Sequence, residues 1–160
     1  MKMSTKQLCA VLLGIVCTML MSCFSGNPPT QSLEPLGENR ARLFLYRPWG
    51  VRALLTAPML YINNEKVLLL KNGGYTAATM KPGGLILSTK HNSTWDSGEE
   101  HALWLILQAG RTYYVPIQTA TGFRTSTFLP QLAPETVAIP ELKQTQKLDS
   151  VRGIDKAEIL

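Results

Sequence analysis

From Ala41 onward, the chain consists of short segments in which apolar and polar side chains alternate. Alternation with a period of two is typical of a strand that buries one face. Asn63-Asn64, Gly73-Gly74 and Pro82-Gly83 stand between such segments, and these residue types favour turns. The pattern predicts strands at residues 41–46, 59–62, 66–70, 75–80, 85–90, 102–108, 112–118 and 123–132.

Regular short strands with marked turns predict an all-β fold. We expect a single antiparallel β-sandwich over residues 40–133, a length that suits one domain of this class. Gly110 is expected to close a hairpin between the strands at 102–108 and 112–118, because glycine adopts the backbone angles of tight turns.

The same pattern predicts which way the aromatic side chains of two strands face. Trp104 lies between Leu103 and Leu105, and this apolar setting predicts a place in the core. Tyr113 and Tyr114 are adjacent, so one ring is expected to face the core and the other to face outward.

The segments on either side of this domain have a different character. Residues 23–39 are rich in Pro, Gly, Ser and Asn, which predicts a flexible tether. Residues 134–160 form a C-terminal tail. A helix there is expected to be short and to begin near Pro140, because proline interrupts a helix when it stands in the interior.

Residues 1–22 have the organisation of a secretory signal. Lys2 and Lys6 precede an apolar run over residues 8–21, and a basic start before an apolar core is typical of such signals. The sequence Leu20-Met21-Ser22-Cys23 resembles the lipobox of bacterial lipoproteins, which implies cleavage between Ser22 and Cys23. An ordinary cleaved signal and an uncleaved membrane helix are the alternatives, although the run is short for a membrane span.

The lipobox resemblance implies that Cys23 carries a covalent diacylglycerol and an N-acyl chain, and we expect no other cofactor. Cys9 and Cys17 lie within the signal, so no other thiol remains for a disulfide or a metal site. Phe24 follows Cys23. Under the sorting rule of bacterial lipoproteins, the lack of Asp at this position implies the periplasmic face of the outer membrane.

The net charge of the chain is +5. Its basic residues are spread along the sequence without a cluster or a nucleic-acid-binding motif, so we expect no nucleic-acid partner. The membrane, through the lipid anchor, and an envelope protein or glycan are the expected partners.

Residues 91–101 contain His91, Asp96, Glu99, Glu100 and His101, the one cluster whose residue types suit zinc. No spacing fixes the two histidines on one face, so we expect a polar loop and no metal site. No nucleophile elbow is present for a serine hydrolase, and we expect no catalytic residue.

Four residues are candidate contacts for a ligand or a partner: Trp49, Arg52, Trp95 and Tyr114. Trp49 and Trp95 are expected in loops, beside Arg52 and Asp96. Loop aromatics with polar neighbours can bind a sugar or another protein. The alternative is that these rings fold back on the edge of the core.

Four short motifs occur in order along the domain: Arg42 to Pro48 (ending Tyr-Arg-Pro), Asn72-Gly73-Gly74-Tyr75, Pro82-Gly83, and Gly110 to Tyr114 (Gly-Arg-Thr-Tyr-Tyr). This arrangement resembles the bacterial lipoproteins of the domain-of-unknown-function 2846 family. The last two motifs also look like immunoglobulin-like or carboxypeptidase-regulatory-like surface domains. The resemblance implies a β-sandwich and brings no activity with it.

Together these features predict an outer-membrane-anchored lipoprotein that is not an enzyme. Its folded domain is expected to be an interaction domain of the cell envelope. The alternatives are a β-sandwich that binds a small ligand or a glycan and, third, an envelope hydrolase.

Overall fold

The computed structural model describes residues 35–51, 54, 56–91, 99–121 and 126–148. These residues form two stacked β-sheets and one helix. The strands are β1 (Ala41–Tyr46), β2 (Pro58–Ile62), β3 (Glu65–Leu69), β4 (Gly74–Met80), β5 (Gly83–His91), β6 (His101–Leu107), β7 (Thr112–Thr121), β8 (Ser126–Pro130) and β9 (Gln146–Lys147). The helix, α1, spans Glu135–Leu142.

One sheet has the strand order β8-β7-β1-β4-β9, and the other has the order β3-β2-β5-β6. Most neighbours are antiparallel, but β1 is parallel to β7 and β4 is parallel to β9. The fold is therefore the predicted all-β sandwich, with two antiparallel-rich sheets.

The main core lies between the two sheets and is built from alternate residues of their strands. Leu43 and Leu45 of β1 face inward and are fully buried. They pack with apolar side chains of both sheets, among them Leu60, Ile62, Leu87, Leu105, Val115, Ile117 and Phe128. Inward residues at every second position are the physical basis of the period-two pattern in the sequence.

A second apolar cluster lies on the outer face of the first sheet, beneath α1. Phe44 stacks on Tyr114 with 5.4 Å between the ring centroids. Ala138 and Leu142 of the helix lie on this aromatic surface and are fully buried. The hydroxyl of Tyr46 donates a hydrogen bond of 2.7 Å to Glu141 Oε2 and joins the sheet to the helix.

The predicted hairpin around Gly110 is wrong. β6 pairs with β5, whereas β7 lies in the other sheet beside β1. The Gly110 N–H donates to Arg40 O, and the Arg42 N–H donates to Arg111 O. These bonds guide the chain from one sheet to the other. A tight turn between consecutive strands can therefore join two different sheets, and it does not always close a hairpin.

The helix begins five residues earlier than the expected start near Pro140, which lies inside it. Proline removes one backbone donor, and with it the bond that would reach the carbonyl of Thr136. The helix persists because Ala138 and Leu142, four residues apart, both pack on the aromatic surface. No helix of the described residues is long and apolar enough to cross a membrane.

The expectation that Trp104 belongs to the core is also wrong. Its side chain is 75% exposed, because Leu103, Leu105 and Leu107 are the residues of β6 that turn inward. Strict alternation then directs Trp104 to the outer face.

We predict that Tyr46→Phe lowers the free energy of unfolding by about 1–2 kcal/mol near neutral pH, because the partly buried hydrogen bond to Glu141 is lost. Chemical unfolding would measure the change. Tyr61→Phe is the matched control, since Tyr61 lies half-exposed on the other sheet, and it should change stability by less than about 0.5 kcal/mol.

The same variant tests a dependence on alkaline pH. Burial, followed by the hydrogen bond to Glu141, raises the pKa of Tyr46 well above its ordinary value. The unfolded chain therefore loses this proton above pH about 10 while the folded chain keeps it, so stability falls as pH rises. Tyr46→Phe should lose less stability than the wild type between pH 9 and 11. An equal loss in both proteins would contradict this explanation.

Candidate functional site: a cleft where β1 leaves its sheet

Four connections of the sandwich leave the same end. β1 and β7 run parallel and finish at this end, and the paired registers place the starts of β2, β4, β6 and β8 there. The strand ends that are joined by the β1–β2, β3–β4, β5–β6 and β7–β8 connections therefore lie at one end of the sandwich, which we call the loop end. Clustered loops on a rigid β-sandwich are a common place for binding sites.

At the loop end, β1 stops at Tyr46 and the chain turns away from the sheet. The Arg47 N–H still donates to Gly74 O, at 2.9 Å. The next residue, Pro48, has no N–H with which to continue the ladder. The last backbone hydrogen bond to the β4 side is thus made by Arg47, one residue beyond the last register pair, Tyr46–Tyr75.

The departing chain is held by the side chain of Asn72, in the β3–β4 turn. Asn72 Nδ2 donates to Gly50 O at 2.8 Å, and the Gly50 N–H donates to Asn72 Oδ1 at 3.2 Å. One side-chain amide therefore pairs with both polar groups of one residue, as a neighbouring strand would. This reciprocal pair fixes the start of the β1–β2 connection against the turn.

Gly73 makes this approach possible for two reasons. Its φ is +66°, which side chains disfavour. A Cβ atom at this position would also lie 3.2 Å from Cδ1 of Trp49. The absence of a side chain at Gly73 therefore lets the indole of Trp49 lie against the turn. The Asn-Gly motif thus makes two contacts with the loop after β1: Asn72 bonds to Gly50, and Gly73 contacts Trp49.

The other end of the β1–β2 connection is held by Arg47. Its buried guanidinium donates from Nη1 to Thr56 O at 2.7 Å and lies 5.1 Å from the ring centroid of Phe128. Burial lowers the pKa of Arg47, although arginine remains protonated under ordinary conditions. Arg47, the first residue of the connection, is thus joined to Thr56 near its end.

Beyond Pro116, β7 continues without a β1 neighbour, because the β1 register ends at Tyr46–Pro116. Gln131 N–H donates to Pro116 O and so directs that carbonyl towards β8. Polar groups of successive residues point to opposite sides of a strand. The backbone groups of Ile117 and Thr119 therefore point to the side that β1 has left.

The departure of β1 leaves an open cleft of about 390 Å³ at this place. Trp49 is the exposed aromatic of its wall, with 61% of the side chain accessible. None of the described lining residues carries a charge: Pro48, Trp49, Gly50, Val51, Asn72, Ile117, Gln118 and Thr119. The cleft combines one flat apolar surface with amide, hydroxyl and backbone groups.

The predicted contact residues have different outcomes. Trp49 lies in the cleft, whereas Arg52 and Trp95 lie outside the described residues. The prediction of Tyr114 as a contact does not fit its position, because the side chain is only 6% exposed and packs beneath α1. Its ring does turn away from the main core, as expected, but the helix covers it. Ser22 and Cys23 also lie outside the described residues.

The register that pairs Thr89 with His101 places His91 and His101 on the inner face of the second sheet, and each histidine has a different polar neighbour. His91 Nε2 lies 2.9 Å from Ser126 O, and its ring lies 5.1 Å from that of Phe128. His101 Nε2 is 4.0 Å from Glu99 Oε2. Within the described part of the chain, no three potential metal ligands come together; Asp96 lies outside that part.

Sequence reasoning missed Asn72, Gln118 and Thr119 as parts of a site. Asn72 had a visible signal, since an Asn before two glycines fits a turn whose side chain bonds to nearby backbone. Gln118 and Thr119 had none, because their place in the cleft depends on where β1 ends relative to β7.

We predict that Asn72→Ala lowers the free energy of unfolding by about 1–3 kcal/mol, because both polar groups of Gly50 lose their partner. Asn39→Ala is the control, since Asn39 is exposed in a turn, and it should have an effect below about 0.5 kcal/mol. Urea unfolding of the two variants makes the comparison. Equal stability of Asn72→Ala and the wild type would show that the amide does not hold this loop.

Comparison with known proteins places the domain in a family. No curated protein matches the chain. The model of the family described as "Protein of unknown function (DUF2846)" matches residues 37–129. The match includes both motifs that build the cleft and ends before α1, which spans Glu135–Leu142. The chain therefore belongs to the DUF2846 family.

Proposed function

We propose that this protein is an outer-membrane lipoprotein whose periplasmic β-sandwich binds an uncharged saccharide in the cleft at Trp49. The observation that carries the proposal is the exposed indole of Trp49 beside polar groups, in a cleft whose described lining has no charged side chain. An ionic ligand would require a charged partner for strong recognition.

The chemistry of the cleft suits a sugar ring. One face of a pyranose presents C–H groups, which pack on an aromatic surface, while its hydroxyl groups need donors and acceptors. Gln118, Thr119 and the outward backbone groups of Ile117 and Thr119 supply both kinds. The volume of about 390 Å³ falls within the range of small-ligand sites.

The lining supports binding in preference to catalysis. Among its described residues, none has the carboxyl, imidazole, thiol or amine group on which most acid–base and nucleophilic catalysis depends. The groups present can orient a ligand by hydrogen bonds and stacking. We therefore propose a binding protein and not a hydrolase.

The proposed location rests on the N-terminal sequence. Acylation of Cys23 would anchor the chain, and residues 24–39 would connect the anchor to the domain. A flexible segment of this length has a root-mean-square span of about 22 Å. This reach would keep the cleft close to the membrane surface and in contact with envelope glycans.

We predict that Trp49→Ala weakens saccharide binding at least about tenfold, because the stacking surface is lost. The probes are N-acetylglucosamine oligomers and soluble cell-wall glycan fragments, and calorimetry measures the dissociation constants. Trp104→Ala is the matched control, since Trp104 is an exposed tryptophan that does not line the cleft. Its affinity should equal that of the wild type.

Two results would contradict this proposal. The first is the absence of heat and of any tryptophan fluorescence change with all of these probes at millimolar concentration. The second is binding that Trp49→Ala leaves unchanged, which would place the ligand elsewhere.

The anchor has a separate test. Cys23→Ala should abolish incorporation of labelled palmitate and release the protein from the membrane fraction, because no other acceptor thiol is proposed. Cys17→Ala, which changes a cysteine inside the proposed signal, should remain labelled and membrane-bound. A Cys23→Ala protein that keeps its label and stays in the membrane would overturn the anchor.

A further inference from the structure

The outer face of the second sheet carries an apolar strip on β6. Trp104 is 75% exposed and Ile106 is 78% exposed. Gly84 lies opposite Ile106, and no atom lies within 4 Å of the place where its Cβ would be. The corresponding face of the first sheet is covered by α1, whereas no described element covers the strip. Two large apolar side chains are thus presented together on one strand.

β6 is also an edge strand, and its outward backbone groups can be identified. Ile86 of β5 exchanges hydrogen bonds with Asn63 and therefore points away from β6. By alternation, Leu85 and Leu87 bond to β6, and the polar groups of Ala102, Trp104 and Ile106 point to the open edge. The bond from the Tyr113 hydroxyl to Ile106 O agrees with this assignment.

This edge lacks the usual protection against pairing. Natural edge strands commonly carry charged side chains, proline or bulges that prevent another strand from adding. Residues 102–107 of β6 are Ala-Leu-Trp-Leu-Ile-Leu, without a charge or a proline, and β6 pairs with β5 in an uninterrupted register. Among the described residues, the hydroxyl of Tyr113 bonds to Ile106 O and to the Gln108 N–H, and it leaves the polar groups of Ala102 and Trp104 and the Ile106 N–H open for pairing.

We propose that β6 pairs antiparallel with β6 of a second copy of this chain, about a two-fold axis at Trp104. In this register Trp104 lies opposite its counterpart, and Ala102 lies opposite Ile106 of the other copy. Leu103 lies opposite Leu105 on the inner side. Every residue from 102 to 106 thus meets an apolar side chain, which stabilises cross-strand pairs.

Charge favours the antiparallel direction. Glu99 and Glu100 precede the apolar segment of β6, and Glu100 lies 3.1 Å from Lys90 of the same chain. Parallel pairing would set the acidic residues of the two copies side by side, whereas antiparallel pairing places Glu99 and Glu100 opposite Ala109 and Gln108 of the other copy. A shift that placed Ala102 opposite Trp104 would set Glu100 opposite Ile106, next to an apolar side chain, so the register centred on Trp104 is preferred.

The pairing is independent of the proposed saccharide site, because no residue of β6 lines the cleft. Each domain in a pair keeps its own cleft accessible, and the pair would present two clefts at once. Failure of saccharide binding would therefore leave this inference standing, and failure of pairing would leave the saccharide proposal standing.

Cysteine crosslinking of the full chain in cells tests the inference. Directly opposed residues of a hydrogen-bonded antiparallel pair have Cα atoms about 5.5 Å apart, a separation that a disulfide spans. Trp104→Cys should form a disulfide-linked dimer on oxidation with copper phenanthroline. Ile106→Cys alone should give at least about tenfold less dimer, because its two copies would lie about 13 Å apart.

A mixture of two variants tests the register. Co-expression of Ala102→Cys and Ile106→Cys chains should give a dimer that neither chain gives alone. Adding Trp104→Lys to both chains should lower this yield about tenfold, because a charge enters the centre of the pair. Trp104 is exposed, so the thermal unfolding temperature should stay unchanged and show that the domain is folded.

The wild-type chain under the same oxidant accounts for Cys9, Cys17 and Cys23. The inference is overturned if Trp104→Cys gives no more dimer than the wild type. It is also overturned if Ala102→Cys and Trp104→Cys chains crosslink to each other while Trp104→Cys does not crosslink to itself.

Discussion

The reciprocal hydrogen bonds between Asn72 and Gly50 are the constraint on which the loop end depends. β1 must leave its sheet to reach the other layer, and a departing segment without a partner strand has no fixed position. The Asn72 amide supplies that partner, and Gly73 leaves room for Trp49 to lie against the turn. Arg47 fastens the far end of the same connection through Thr56. The cleft is the space that remains beside β7 once this connection is held away from the sheet.

The cleft and the β6 edge have a common origin: in both places, backbone groups or apolar side chains of a strand have no neighbouring element among the described residues that covers them. At the loop end, β7 extends beyond the last residue of β1, and its backbone groups there face the cleft. At the opposite sheet, β6 has no further neighbour among the described strands and presents Trp104. The C-terminal segment covers the remaining apolar face: α1 packs on Phe44 and Tyr114, and β9 lies beside β4. The proposed N-terminal signal and tether would decide where these surfaces act.

Local pattern was sufficient for the strands and for the sandwich, because alternation records which side of each strand meets the core. Local pattern does not show which other elements lie beside a strand or cover it.

Trp104 was assigned to the core because Leu103 and Leu105 flank it, although the alternation of those leucines directs it outward. Tyr114 was expected at the surface because the sequence does not reveal that α1 lies over it. The hairpin at Gly110 failed for a related reason, since one turn can join two strands or two sheets. Trp49 was found because an aromatic residue beside proline and glycine, outside any strand, has few positions in which to be buried.

Solution NMR tests most directly whether the cleft beside Trp49 binds a saccharide. Titration of isotope-labelled protein with an N-acetylglucosamine oligomer should shift the indole N–H of Trp49 and the amides of Gly50, Gln118 and Thr119. The indole N–H of Trp104, which lies outside the cleft, should not move. Shifts confined to β6, or no shifts at saturating oligomer, would contradict saccharide binding in the cleft.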